Sequence, residues 1–203
     1  MPGVYIMKLA AMQPYFFPYL GYFQLVSAVD KFILYGNLNY IRHGWVNRNR
    51  LLTVHGQPTY FVVPIKKQSS YSKIRDILID NQTDWQTKTC KPIDMNYCRS
   101  PFYDEVYPLV EKALTGKEEL LTTLNGATIR AVCEFLEILT EIVTDVSEYE
   151  ALEIELSQSD SHVKTFYLRQ QQLADTKTIR VLEICKKRRR RDLRQCHWWA
   201  GVL

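Results

Sequence analysis

The segment from Gln13 to Phe23, QPYFFPYLGYF, constrains this chain more than any other stretch. Pro14 and Pro18 fix φ, lack an N–H and restrict the residue before them, so neither a helix interior nor a regular strand runs through it. It is expected as a loop at the end of a short apolar strand, residues 8–12, leading into a helix over Phe23 to Val29. Large flat side chains crowd this rigid loop. Aromatic walls with a few fixed polar groups suit sugar rings or nucleobases, and Gln13 offers both a donor and an acceptor. Gln13, Tyr15 and Tyr22 are therefore candidate substrate-binding residues. A loop that covers the edge of a core would have the same composition.

A second cluster lies at residues 37–51, NLNYIRHGWVNRNRL. Asparagine, arginine and aromatic side chains in so short a span are poor helix material and suit a binding loop. Arginine forks match phosphate or carboxylate, and asparagine amides fix hydroxyls. Asn37, Tyr40, Trp45, Asn47, Arg48 and Asn49 join the candidate substrate-binding set; a basic surface loop is the alternative. His43 is the candidate general base, since an unperturbed imidazole suits proton transfer near neutrality, or else an ordinary hydrogen-bonding side chain.

Phe32 to Tyr35 is expected as a second strand, Thr59 to Ile65 as a third and Ile74 to Ile79 as a fourth. Leu121, Leu124, Thr128, Val132, Phe135, Leu139 and Ile142 recur at spacings of three and four, which predicts one helix over Glu118 to Val143. Leu152 to Leu156 alternates like a short strand, and Asp175 can cap a helix from Thr176 to Lys187. The pattern predicts an α/β fold: a layered mixed sheet with flanking helices and a helical second half.

Charge is concentrated at one end. Residues 186–194, KKRRRRDLR, hold seven cationic side chains against Asp192, a surplus of six, so the rest of a chain of net charge +4 is negative by two. A nucleic-acid partner would rest on those nine residues alone, and is not expected. Five cysteines without a Cys-x-x-Cys spacing argue against a disulfide framework or a zinc knuckle. No ligand cluster points to a metal, and no glycine-rich phosphate loop is present. Ser157, Ser159, Asp160, Ser161 and His162 contain the residue types of a hydrolase triad, but they are sequence neighbours without a Gly-x-Ser-x-Gly elbow, so a strand end and helix cap is the simpler reading. No apolar run is long enough for a membrane helix, and the N-terminus does not read as a signal peptide; a cytoplasmic location is expected.

The two clusters together resemble the WbqC-like family. One motif is Gln13, Pro14, Pro18, Gly21, Tyr22 and Phe23; the other is Trp45, Asn47, Arg48 and Asn49. The likeness continues through FVVPIKK, Trp85, residues 97–102 and LSQSD at 156–160. It implies a role in O-antigen or other surface-polysaccharide biosynthesis, with an activated sugar as substrate and transfer of an acyl or aminoacyl group to an amino sugar as the kind of reaction. A non-catalytic subunit that binds a nucleotide sugar is the alternative. The likeness implies no particular cofactor. Relatives often carry His where this chain has Met12, and Asp where it has Gly36. The resemblance also places the natural start at Met7, making residues 1–6 an extension of a single domain over 1–187. Residues 188–203 are expected to be an aberrant basic tail read out of frame. Trp198 and Trp199 require TGG TGG, and the next codon begins with G, so the reading one base later gives Gly-Gly, as in the segment with which relatives continue.

Overall fold

The apolar run KFIL pairs on both sides. In the computed structural model, which describes residues 7–69 and 71–147, β2 (Lys31–Leu34) lies between β1 (Leu9–Met12) and β5 (Glu141–Val143), all parallel. Leu9 sits opposite Lys31 and Lys31 opposite Glu141; the Lys31 ammonium and Glu141 carboxylate close that register at 2.7 Å. Successive β2 side chains face opposite ways. Phe32 and Leu34 pack with Tyr22, Phe23 and Val26 of α1 (Leu20–Ser27) and with Ile129 and Cys133 of α4 (Leu121–Phe135), whereas Ile33 packs with Leu9, Tyr35 and Val146. Burial on both faces is the ordinary condition of parallel strands.

A second sheet is the antiparallel hairpin of β3 (Arg48–Leu52) and β4 (Pro58–Val62), with Arg48 opposite Val62 and Arg50 opposite Tyr60. Two further helices follow, α2 (Trp85–Tyr97) and α3 (Tyr103–Thr115); α3 packs against α4, and α2 against α3. Helix α4 spans two parts of the core: Leu121 and Leu124 join a cluster with Phe16, Val46, Val63 and Trp85, while Ile129 and Cys133 face the parallel sheet.

The mixed α/β architecture agrees with the sequence pattern; several boundaries do not. The helix expected to run to Val143 stops at Phe135. Glu137 takes φ +54, its N–H donates to Glu134, and the Ile138 N–H donates to the Cys133 carbonyl at 2.8 Å. This is a Schellman stop with glutamate in the left-handed position that glycine usually occupies, so the usual sequence signal was missing. Leu139 is almost fully exposed, and Ile142 belongs to a strand. The strand expected over Ile74 to Ile79 is a 3-10 turn, Ile74–Asp76, followed by isolated bridges from Leu78 to Leu120 and from Ile79 to Ile65. The first helix begins at Leu20 rather than Phe23, and the third strand ends at Val62. Helices α2 and α3 gave no clear signal because each carries an internal proline, Pro92 and Pro108. Residues 1–6, the strand expected at Leu152 to Leu156, the serine-rich segment at 157–162, the helix expected to Lys187 and the tail from 188 lie outside the described residues.

Candidate functional site

Both sequence clusters leave the carboxyl ends of parallel strands. Gln13 follows β1, and Tyr35, Gly36 and Asn37 follow β2. In open α/β sheets that edge is where ligands bind. The two clusters are joined there by hydrogen bonds. The Phe16 N–H donates to the Trp45 carbonyl at 3.0 Å. From α4, the fully buried Asn125 donates to the Pro14 and Val46 carbonyls, both at 2.8 Å, one in each cluster. The Asn49 amide donates to the Phe16 carbonyl at 3.0 Å and also to that of Phe17.

The run Asn47-Arg48-Asn49 works as a set of struts. Asn47 accepts from the Tyr40 hydroxyl at 2.8 Å and donates to the Val63 carbonyl at 3.0 Å. The Arg48 guanidinium donates to the His43 carbonyl. Two residues held this way, Phe17 at φ +46 and His43 at φ +63, adopt the left-handed conformation that non-glycine residues avoid. Neighbouring β3 side chains thus each grip the carbonyl of a strained loop residue, which explains how the strain persists. Asn37 is likewise engaged, donating to the Val146 carbonyl at 3.3 Å and accepting from Arg75 at 2.9 Å. Gly36 is closed in by Arg75: a Cβ there would lie 3.1 Å from the Arg75 Cβ.

The aromatic segment divides. Tyr22 is buried in the core, and its hydroxyl donates to the Gln13 carbonyl at 3.0 Å. Burial pushes its pKa well above the ordinary tyrosine value, with smaller contributions from Tyr15 and Cys133. Tyr15 is half-buried and raised by burial and then by Tyr19. Burial also raises Tyr40, opposed by Arg42 and Arg48. Gln13 is half-buried, and His43 is exposed at its loop tip.

Exposed groups gather on the outer face of the hairpin. The Arg48 guanidinium lies 5.1 Å from the Tyr60 ring centre, and the Arg50 guanidinium 5.9 Å from that of Trp45. Tyr60 is 52% exposed and Trp45 40%. Each cation is thus backed by an aromatic face, and the buried Nε of Arg48 has no hydrogen-bond partner within the protein. Sequence reasoning passed over Tyr60 and Asn125, and placed Arg50 in the second cluster without giving it a role of its own. An asparagine beside Leu121, Leu124 and Thr128 on a buried helical face was the available signal for Asn125. Among the described residues no three His, Cys, Asp or Glu side chains gather to hold a metal, and no helix is long and apolar enough to cross a membrane.

The model of the WbqC-like protein family matches residues 13–196, from the glutamine that follows β1 through the arginine-rich segment. The chain is also 30% identical over 182 residues to an uncharacterized protein of Mycobacterium tuberculosis (strain ATCC 25618 / H37Rv), Rv1507c, covering 89% of this chain and 68% of that one. No solved structure matches the chain.

Proposed function

The chain belongs to the WbqC-like protein family, and from that premise we propose that it is a sugar-modifying protein of surface-polysaccharide biosynthesis that binds an activated sugar on the outer face of the β3–β4 hairpin. One observation carries the reading: two arginines, each over an aromatic ring, stand side by side on an exposed sheet face beside the carboxyl edge of the parallel sheet. A sugar nucleotide offers what this face would recognise. Its diphosphate matches guanidinium forks, and its sugar or base presents a flat face to Trp45 or Tyr60. The asparagine struts hold those groups in place without contacting the ligand, while Arg48 both grips the His43 carbonyl and faces the ligand. The reaction we favour is acyl or aminoacyl transfer to an amino sugar, with His43, an exposed imidazole on the loop whose carbonyl Arg48 grips, as proton acceptor.

A non-catalytic, nucleotide-sugar-binding role is the second reading. It is favoured by Gly36, where Arg75 fills the space a side chain would need and position 36 offers no functional group. Incubation with UDP-N-acetylglucosamine, a UDP-amino sugar and acetyl-CoA, followed by mass spectrometry, separates the two. A product heavier than the amino sugar nucleotide by one acetyl group supports transfer, whereas saturable binding without product supports the accessory role. Failure of every nucleotide sugar to bind at millimolar concentration overturns both.

A further inference from the structure

Along the β4 edge of the hairpin, where residues 59–62 all line it, lies a cleft of about 300 Å³, between β4 and the N-terminal half of α2. Two anchors hold it open. At its far end the start of the hairpin turn is tied to the end of α2: the Leu52 N–H donates to the Tyr97 hydroxyl at 3.2 Å, and the Val54 N–H to the Asn96 side chain at 2.8 Å. At its near end Trp85, the first residue of α2, is buried in the core, with its indole N–H donated to Asn81 at 3.1 Å. Between these anchors the walls are apolar, formed by Phe61, Pro64, Trp85 and Pro92.

The polar groups in the cleft are of two kinds. The Thr89 hydroxyl is engaged by the Trp85 carbonyl at 2.9 Å. The hydroxyls of Thr59 and Thr83 and the ammonium of Lys88 also line the space, and none has a hydrogen-bond or ion-pair partner among the described residues. The nearest acid along the helix, Asp84, accepts from the Thr87 N–H as the N-cap of α2. Pro92 lacks an N–H, so it cannot donate the α-helical bond to the Lys88 carbonyl one turn earlier. Apolar walls with a few convergent polar groups describe a small-molecule site, and the volume lies at the small end of that class.

We propose that this cleft is a second binding site, for a small molecule with a compact apolar body and a single anionic head. The body stacks on Phe61 and Trp85, the carboxylate or phosphate head pairs with Lys88, and the Thr59 and Thr83 hydroxyls supply its remaining hydrogen bonds. The site does not depend on the sugar-binding reading of the outer face. It gives the hairpin a second working surface, for a smaller amphiphilic ligand, with Tyr60 at the border between the two.

Calorimetric titration of phenyl phosphate, phenylacetate and hexanoate into the full chain tests this. Saturable one-site binding of at least one probe is expected. Loss of the charge-assisted contact in Lys88→Glu should weaken it about tenfold or more, and Thr59→Trp, which fills the space, should abolish it. The exposed Lys88 variant keeps the test valid should the tryptophan variant fail to fold. Arg50→Ala must leave probe binding unchanged, which separates this site from the outer face. Absence of binding by all three probes at millimolar concentration overturns the proposal, as does equal binding by wild type and Lys88→Glu.

Discussion

The seam between the two sequence clusters and the hairpin beside it are built from similar residues used in opposite ways. In the seam Asn37, Asn47, Asn49 and Asn125 all turn their amides onto backbone carbonyls. On the hairpin, and on α2 across the cleft from it, the polar groups of Arg50, Thr59 and Lys88 stand at exposed or half-open positions. Polarity within a motif therefore does not identify a ligand contact. Loops without regular secondary structure leave buried carbonyls that must be satisfied, and an asparagine is a compact way to satisfy two at once. The seam supplies rigidity, and in the function proposed above the hairpin it positions supplies the ligand contacts.

That comparison is most exposed at Asn125. Removing its amide leaves the Pro14 and Val46 carbonyls buried and unsatisfied, so Asn125→Ala should cost about 3 kcal/mol in denaturant unfolding. A change within the scatter of surface substitutions would mean that the seam is not a scaffold. Asn49→Ala should cost less, about 2 kcal/mol, because its carbonyls are only partly buried. It should also make the Gln13–Phe23 loop more open to hydrogen exchange.

Tyr22 gives the comparison a pH dependence. Burial holds its folded pKa above the unfolded value, so its contribution is complete below about pH 10 and is lost as the pH rises from there through the folded value. Tyr22→Phe should flatten that alkaline decline. Near neutrality it should cost about 1 kcal/mol for the lost bond to the Gln13 carbonyl. An unaltered alkaline limb would contradict the assignment. At the end of α4, Glu137→Gly should raise stability by up to about 1 kcal/mol, because glycine takes the left-handed conformation without steric cost; a lower melting temperature would count against the Schellman stop. The smallest effect belongs to the cleft, where Lys88→Ala should shift unfolding by no more than about 0.5 kcal/mol.

Much of this was legible in the residues. Short runs of apolar, β-branched and aromatic residues predicted β1, β2 and β4, and the two prolines predicted the loop after β1. The helical period of Leu121, Leu124 and Thr128 predicted the buried face of α4. What stayed hidden depended on tertiary context. Arg48 to Leu52 reads as a loop because its outward face is polar, and it becomes a strand only by pairing with β4. Trp45, Arg48 and Asn49 looked alike as binding residues, but which amide meets a carbonyl and which ring meets solvent is decided by folding. The cleft draws on residues from 51 to 92, distant in sequence, with no shared motif.

The central claim is that the asparagine struts shape the site while the neighbouring arginine–aromatic pairs bind. Thermal unfolding of wild type and Arg50→Ala, each with and without millimolar UDP-N-acetylglucosamine, tests it most directly. The account predicts that the two unliganded proteins melt together, and that the ligand-induced rise seen in wild type is largely lost in Arg50→Ala, with affinity reduced about tenfold or more. A variant that melts well below wild type without ligand, yet shows the full ligand-induced rise, would make Arg50 a strut rather than a ligand contact and would contradict the account.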